Sequence, residues 1–226
     1  MRWLIATALI LGVVVPASAQ ATDVPPVRRL EVDAGAGWLG GTDLGATDAT
    51  LRTPSRATDT VRLFSLDSRF AAASTFHVRA GLAVNRRFGI EGGLTVSHPE
   101  LQASVSDDAE AAPPITVAER IDQYSVDASV IVLIRELGLG GRTIPFVTAG
   151  AGYLRQLHEG RTVVEQGHAV HAGGGVKHRL LARSTGLLRG AGLRADVRMY
   201  FMSGAVEFEE SPKPRTAVSG SFFVTF

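Results

Sequence analysis

The chain has 226 residues, a formal net charge of +1 at pH 7 and no cysteine, which excludes disulfides, thiolate metal sites and a cysteine nucleophile. The near-balance of 23 basic and 22 acidic residues offers no electrostatic footprint for nucleic acid, and no such partner is expected. Glycine, at 25 residues, falls inside alternating segments as well as in turns, which suits closely packed β-structure.

Arg2 precedes an apolar run from Trp3 to Val15, followed by Pro16-Ala17-Ser18-Ala19. This is the layout of a signal peptide over residues 1–19, cleaved at an Ala-x-Ala site after Ala19. The run is too short for a spanning helix, which needs roughly 20 apolar residues. Residues 20–29, with Pro25-Pro26, read as a periplasmic lead-in, and residues 30–226 as one barrel domain. Nothing after the leader approaches a spanning helix, so the mature chain is either soluble in the periplasm or crosses a membrane as strands.

Alternation by twos then marks a series of strands. Leu30, Val32, Ala34, Ala36 and Trp38 oppose Glu31, Asp33, Gly35 and Gly37. Phe76 to Val84 and Phe88 to Val96 form a hairpin around Asn85-Arg86-Arg87, with His77, Arg79, Glu91 and Thr95 on the polar side. Tyr124 to Ile134 sets valines and Ala128 against Ser125, Asp127 and Ser129, although Ile131 and Leu133 blur the pattern at its end. Pro145 to Tyr153 and Val170 to Lys177 follow. Leu193 to Phe201 gives the sharpest contrast, with Arg194, Asp196, Arg198 and Tyr200 on one face. The last strand runs from Thr216 to Phe226.

About eight strands, joined alternately by short and long connections, describe an all-β, eight-stranded antiparallel up-and-down transmembrane barrel. The segments Val61 to Phe70 and Leu101 to Val105 are expected either to extend strands above the membrane or to add a hairpin, which leaves ten strands open.

The charged residues Glu31, Asp33, Arg79, Glu91, Asp127, Lys177, Arg194, Asp196 and Arg198 all share the polar parity. In a soluble lipocalin-like carrier they would form a solvated exterior. In a membrane barrel they would line the lumen. Aromatic residues favour the second reading. Trp38, Phe76, Tyr124, Tyr153 and Phe201 fall at long-loop ends, and Phe88 and Phe226 at short-turn ends, as two interfacial girdles would.

The strand rhythm, Pro145-Phe146-Val147-Thr148-Ala149-Gly150-Ala151-Gly152-Tyr153, Gly192-Leu193-Arg194-Ala195-Asp196-Val197-Arg198 and Phe222-Phe223-Val224-Thr225-Phe226 resemble the OmpA-type and OmpW-type outer-membrane β-barrels over nearly all of the mature chain. The resemblance implies the outer membrane of a Gram-negative-type bacterium, with lipid and lipopolysaccharide as surroundings. It also implies that Phe222, Val224 and Phe226 act as a signal read by the outer-membrane assembly machinery. It says little about function, because the fold hosts structural proteins, channels and enzymes.

Eight strands leave an interior only just filled by side chains, so a general porin is not expected. The near-balanced lumen charges are expected to pair between neighbouring strands, with Arg194 or Arg198 meeting Asp33 or Glu31. His168 and His171 point to opposite faces and cannot chelate one ion, and no histidine stands beside a serine in the lipase-like arrangement of some outer-membrane barrel hydrolases. No catalytic residue, metal or cofactor is expected. The long loops are acidic, through Glu100, Asp107, Asp108, Glu110, Glu119, Glu207, Glu209 and Glu210, and the short turns are basic. The acidic loops suit cations bridging lipopolysaccharide or an adhesion partner. The expected role is therefore that of a monomeric structural or surface-interaction barrel. A lipid-modifying outer-membrane enzyme or a narrow channel is the alternative.

Overall fold

A computed structural model of the chain describes residues 29–52, 60–107, 109, 113–158, 163–183, 186–203 and 214–226. The expected signal peptide and all of the lead-in before Arg29 lie outside the described residues, as do Asp108, Glu110, Glu207, Glu209 and Glu210.

Twelve strands occur among the described residues: β1 (Arg29–Leu39), β2 (Thr42–Arg52), β3 (Thr60–Phe70), β4 (Ala73–Ala83), β5 (Phe88–Ser97), β6 (Glu100–Ser106), β7 (Ile115–Arg120), β8 (Asp122–Leu133), β9 (Thr143–Leu157), β10 (Val164–Ala182), β11 (Gly190–Ser203) and β12 (Pro214–Thr225). A single 3-10 turn, Arg135–Leu137, is the one helical piece among them. Eight strands close into a barrel in the order β1-β12-β11-β10-β9-β8-β5-β4, and β1 completes the ring by pairing with β4. With the loop strands set aside, every neighbour in the ring is a neighbour in the chain except β1 and β12, where the first strand meets the last, and every pairing is antiparallel. Barrel strands run from 10 residues in β5 to 19 in β10, enough for the roughly 9 to 11 residues a tilted crossing needs.

The barrel has eight strands, not ten. The two segments left open by the sequence belong to a separate four-stranded sheet, β2-β3-β6-β7. Two loop hairpins meet there, through β3 and β6, from Ser65 opposite Ser106 to Phe70 opposite Leu101. Leu44, Phe70 and Ile121, with Leu101 against them, form a small apolar cluster at the foot of this sheet.

Face assignment follows the alternation throughout. Val78 and Val197 are 53% and 50% exposed on the outside, whereas Arg79 and Arg198 are 6% and 2% exposed inside. A soluble barrel would bury the valines and hydrate the arginines. Even where β8 turns apolar on both faces, parity holds, with Val130 outside and Ile131 buried within.

Glycines on the inward face make room for the long charged side chains. A Cβ on Gly175 would lie 2.1 Å from Ala195 O and 2.7 Å from Asp196 Cβ, and one on Gly173 would lie 3.0 Å from Arg198 Cγ. Because β10 lies this close against β11, its positions beside Asp196 and Arg198 are glycine.

Candidate functional site

The lumen is the most chemically organised part of the molecule, and parity along the barrel strands places its members. β1 supplies Glu31 and Asp33, β4 Arg79, β5 Glu91, β8 Asp127 and Ser129, β10 His171 and Lys177, and β11 Arg194, Asp196 and Arg198. Each charge tends to have a small partner beside it. Asp127 is opposite Gly93 and Gly152, Asp196 opposite Gly175 and Ser219, and Arg198 opposite Gly173 and Ala217. The small residues leave the centre of the barrel free for guanidinium groups.

Glu91 stands at the centre of the network. Arg194 donates to it through both terminal nitrogens, at 2.6 and 3.3 Å, and Arg198 donates to its Oε1 at 3.1 Å. Asp196 accepts from Arg79 at 2.9 Å, from Arg194 Nε at 3.0 Å and from Arg198 Nε at 3.0 Å. Asp33 accepts from Arg194 at 3.1 Å and lies 3.9 Å from Arg79. Lys177 pairs with Glu31, and Asp127 lies 3.9 Å from Arg198. Seven of the nine sequence-selected charges therefore fall within one connected array, and Lys177 with Glu31 forms a separate pair beside it. An isolated ion at this depth would be strongly unfavourable, and each here is answered by opposite charge and hydrogen bonds.

The pairing differs from the sequence expectation in reach. Asp33 and Arg79 do face each other on neighbouring strands, but the shortest contacts span the lumen. β11 and β5 lie on opposite sides of the eight-membered ring, and Arg194 of one meets Glu91 of the other. Arg194 does meet Asp33, at 3.1 Å, but Glu31 is met by Lys177 rather than by an arginine, and the carboxylates on Arg198 are Glu91 and Asp196 rather than Asp33. Arginine side chains are long enough to cross so narrow a ring, so distance along the sheet does not limit them.

Several lumen contacts were not read from the sequence. Ser129 Oγ lies 3.1 Å from His171 Nε2 and donates to Asp127 at 3.2 Å. Gly150 stands between the two strands in register, and its missing side chain lets the imidazole lie across it. His171 Nδ1 is buried without a hydrogen-bond partner, so no carboxylate orients the ring as a hydrolytic triad requires. Arg215 caps the long-loop end. It donates to Gly40 O at 3.0 Å and lies 5.2 Å from the Phe70 ring centre. Its inward parity in β12 was the available signal.

Glu31, Asp33 and Glu91 offer oxygens within 4.8 Å of one another, the spacing of a cation site. Arg194 and Lys177 already supply the positive charge there.

The seven aromatic residues chosen from the sequence all point away from the lumen and are exposed. Trp38 and Phe201 lie near the long-loop ends of their strands, whereas Phe88 opens β5 and Phe226 follows β12. Phe222 also faces outward, and Phe226 N donates to Leu30 O at 2.8 Å, beside the β1–β12 seam.

No family model matches the chain, and no curated protein does. Solved structures do match. The outer membrane protein OprG from Pseudomonas aeruginosa superposes with a TM-score of 0.52 at 10% identity, covering 88% of this chain and 96% of that one. The attachment invasion locus protein Ail of Yersinia pestis, in complex with the heparin analogue sucrose octasulfate, gives 0.47 at 11% identity, covering 88% and 99%. Neisserial surface protein A gives 0.45 at 12%, covering 87% and 95%. The likeness is one of fold. This chain has the eight-stranded architecture of the small outer-membrane barrels.

Proposed function

We propose that this chain is an outer-membrane barrel of a Gram-negative-type bacterium, with a lumen sealed by its own ion pairs and a structural or surface-facing role. The observation that carries this reading is the inverted distribution of side chains. Valines and aromatics cover the outside of a closed ring, while Arg194 and Arg198 are buried at its centre. A ring without free edges satisfies every backbone group, as hydrocarbon demands. Lipid and lipopolysaccharide would then surround the apolar belt. Phe222, Val224 and Phe226, on the outward row of the strand that closes the ring, would be the surface offered to the assembly machinery. A monomer suffices for this role, because the barrel closes on itself.

Fractionation of an expressing cell, followed by a gel with and without boiling, tests the membrane reading. Recovery in the outer-membrane fraction with faster migration of the unboiled protein is expected. Recovery as a soluble periplasmic protein would refute it. Liposomes carrying the protein are expected to exclude small sugars, because the charged array occupies the bore.

Catalysis is not part of the proposal. Ser129 and His171 lack an orienting acid, and Arg198 lies 3.4 Å from the same imidazole nitrogen. Phospholipid hydrolysis by the purified barrel that disappears in Ser129→Ala would reverse that judgement.

A further inference from the structure

The short-turn end of the barrel gathers guanidinium groups that, among the described residues, no acid answers. Arg29 opens β1, Arg179 lies near the end of β10, and Arg183 and Arg189 bracket the turn into β11. These four wall an opening of about 410 Å³ beside Thr225. Backbone bonds hold the arrangement, with Arg183 N donating to Arg189 O and Arg189 N to Thr225 O, both at 2.8 Å. On the adjacent turn stands Arg142, whose carbonyl accepts from Arg179 N at 2.9 Å. Among the described residues, the acids nearest this end are already engaged, Glu136 by Arg87 and Glu31 by Lys177. The crowding is felt at Arg135, which holds its proton less firmly than a free guanidinium. Loss of hydration comes first, then the fields of Arg179, Arg29 and Arg86.

A second observation narrows the counter-charge. Leu137, Leu139 and Leu187, on the same short turns, are 64%, 74% and 83% exposed. Bare leucines beside arginines are poorly suited to water. They suit a bilayer boundary, where apolar tips enter the acyl region and guanidiniums reach phosphates. A dissolved phosphate would account for the arginines alone, whereas a leaflet accounts for both.

We propose that the short-turn end of the barrel is a site for anionic phospholipid, in which Arg29, Arg179, Arg183 and Arg189 receive the headgroup phosphate and Leu187 enters the leaflet beside it. The proposal rests on the membrane reading above and adds the class of lipid that one end selects.

The test uses the full chain inserted into phosphatidylcholine vesicles, with or without phosphatidylglycerol, then extracted in mild detergent and weighed with its retained lipids by native mass spectrometry. Each basic residue near an anionic surface changes binding by roughly fivefold. Preferential retention of phosphatidylglycerol, weakening with salt, is therefore expected. Arg183→Gln/Arg189→Gln should lower that preference about tenfold or more while still inserting into phosphatidylcholine. Equal retention of both lipids by the unaltered chain, or an undiminished preference in the double variant, would overturn the proposal. So would displacement of the lipid by millimolar inorganic phosphate, which would mark a site for the free anion. Arginine-dependent capture by peptidoglycan sacculi that phosphatidylglycerol vesicles leave undisturbed would overturn it too. A chain that enters neither kind of vesicle would defeat the membrane reading and this proposal with it.

Discussion

Glu91 accepts from both Arg194 and Arg198, so its replacement by alanine takes one acceptor from each of two buried guanidiniums. Removing one partner of a buried pair typically costs about 3–5 kcal/mol. Glu91→Ala is expected to fall in that range in urea unfolding of the refolded barrel. Lys177→Met should cost about 1 kcal/mol or less, because Lys177 and Glu31 are more accessible to solvent at the rim. Equal losses in the two variants would mean that the central array is no more consequential than a surface pair. Gly175→Ala provides a steric counterpart. Its Cβ would meet the backbone oxygen of Ala195 at 2.1 Å, and overpacking of this kind costs about 1–3 kcal/mol. A melting temperature equal to that of the parent would show that β10 and β11 can move apart. The charges themselves could be read from sequence by parity alone. Their partners could not, because a guanidinium that reaches across the ring obeys strand tilt and stagger rather than spacing along the chain. Ser129 and His171 were hidden for the same reason, being brought together only by the register of β8, β9 and β10 around Gly150.

At the scale of strands, the apolar belt and the outer sheet make opposite predictions. Val197→Lys places a charge on the outer wall of β11, where a bilayer penalises it by about 2–4 kcal/mol near the midplane. Val117→Lys, on the exposed β7 of the outer sheet, should change barrel stability by less than about 0.5 kcal/mol. Unfolding in vesicles separates the two, and equal effects would argue against a lipid-facing β11. The barrel strands were legible because one side of each is uniformly apolar and the other polar or glycine, so a period of two identifies both the element and its orientation. The four strands beyond the ring were harder to place. β2 reads Thr-Asp-Leu-Gly-Ala-Thr-Asp, with little alternation, and the β3–β6 pairing joins loops separated in sequence by a complete hairpin. No local pattern encodes a partner chosen by proximity above the ring.

For the molecule as a whole, the outer sheet is an addition to a ring that closes without it. Its strands pair only with one another, and the ring's hydrogen bonding is complete in their absence. A chain in which residues 42–70 are replaced by a short glycine-asparagine turn is therefore expected to retain the migration difference between boiled and unboiled samples. Loss of that difference would make the Leu44, Phe70 and Ile121 cluster part of the ring's foundation. The seam between β1 and β12 carries a further consequence. The first stave of the cask meets the last, so every shorter stretch of chain ends in two raw borders that oil will not tolerate. In the membrane reading, insertion is expected to be a late and concerted event, completed when the final stave arrives.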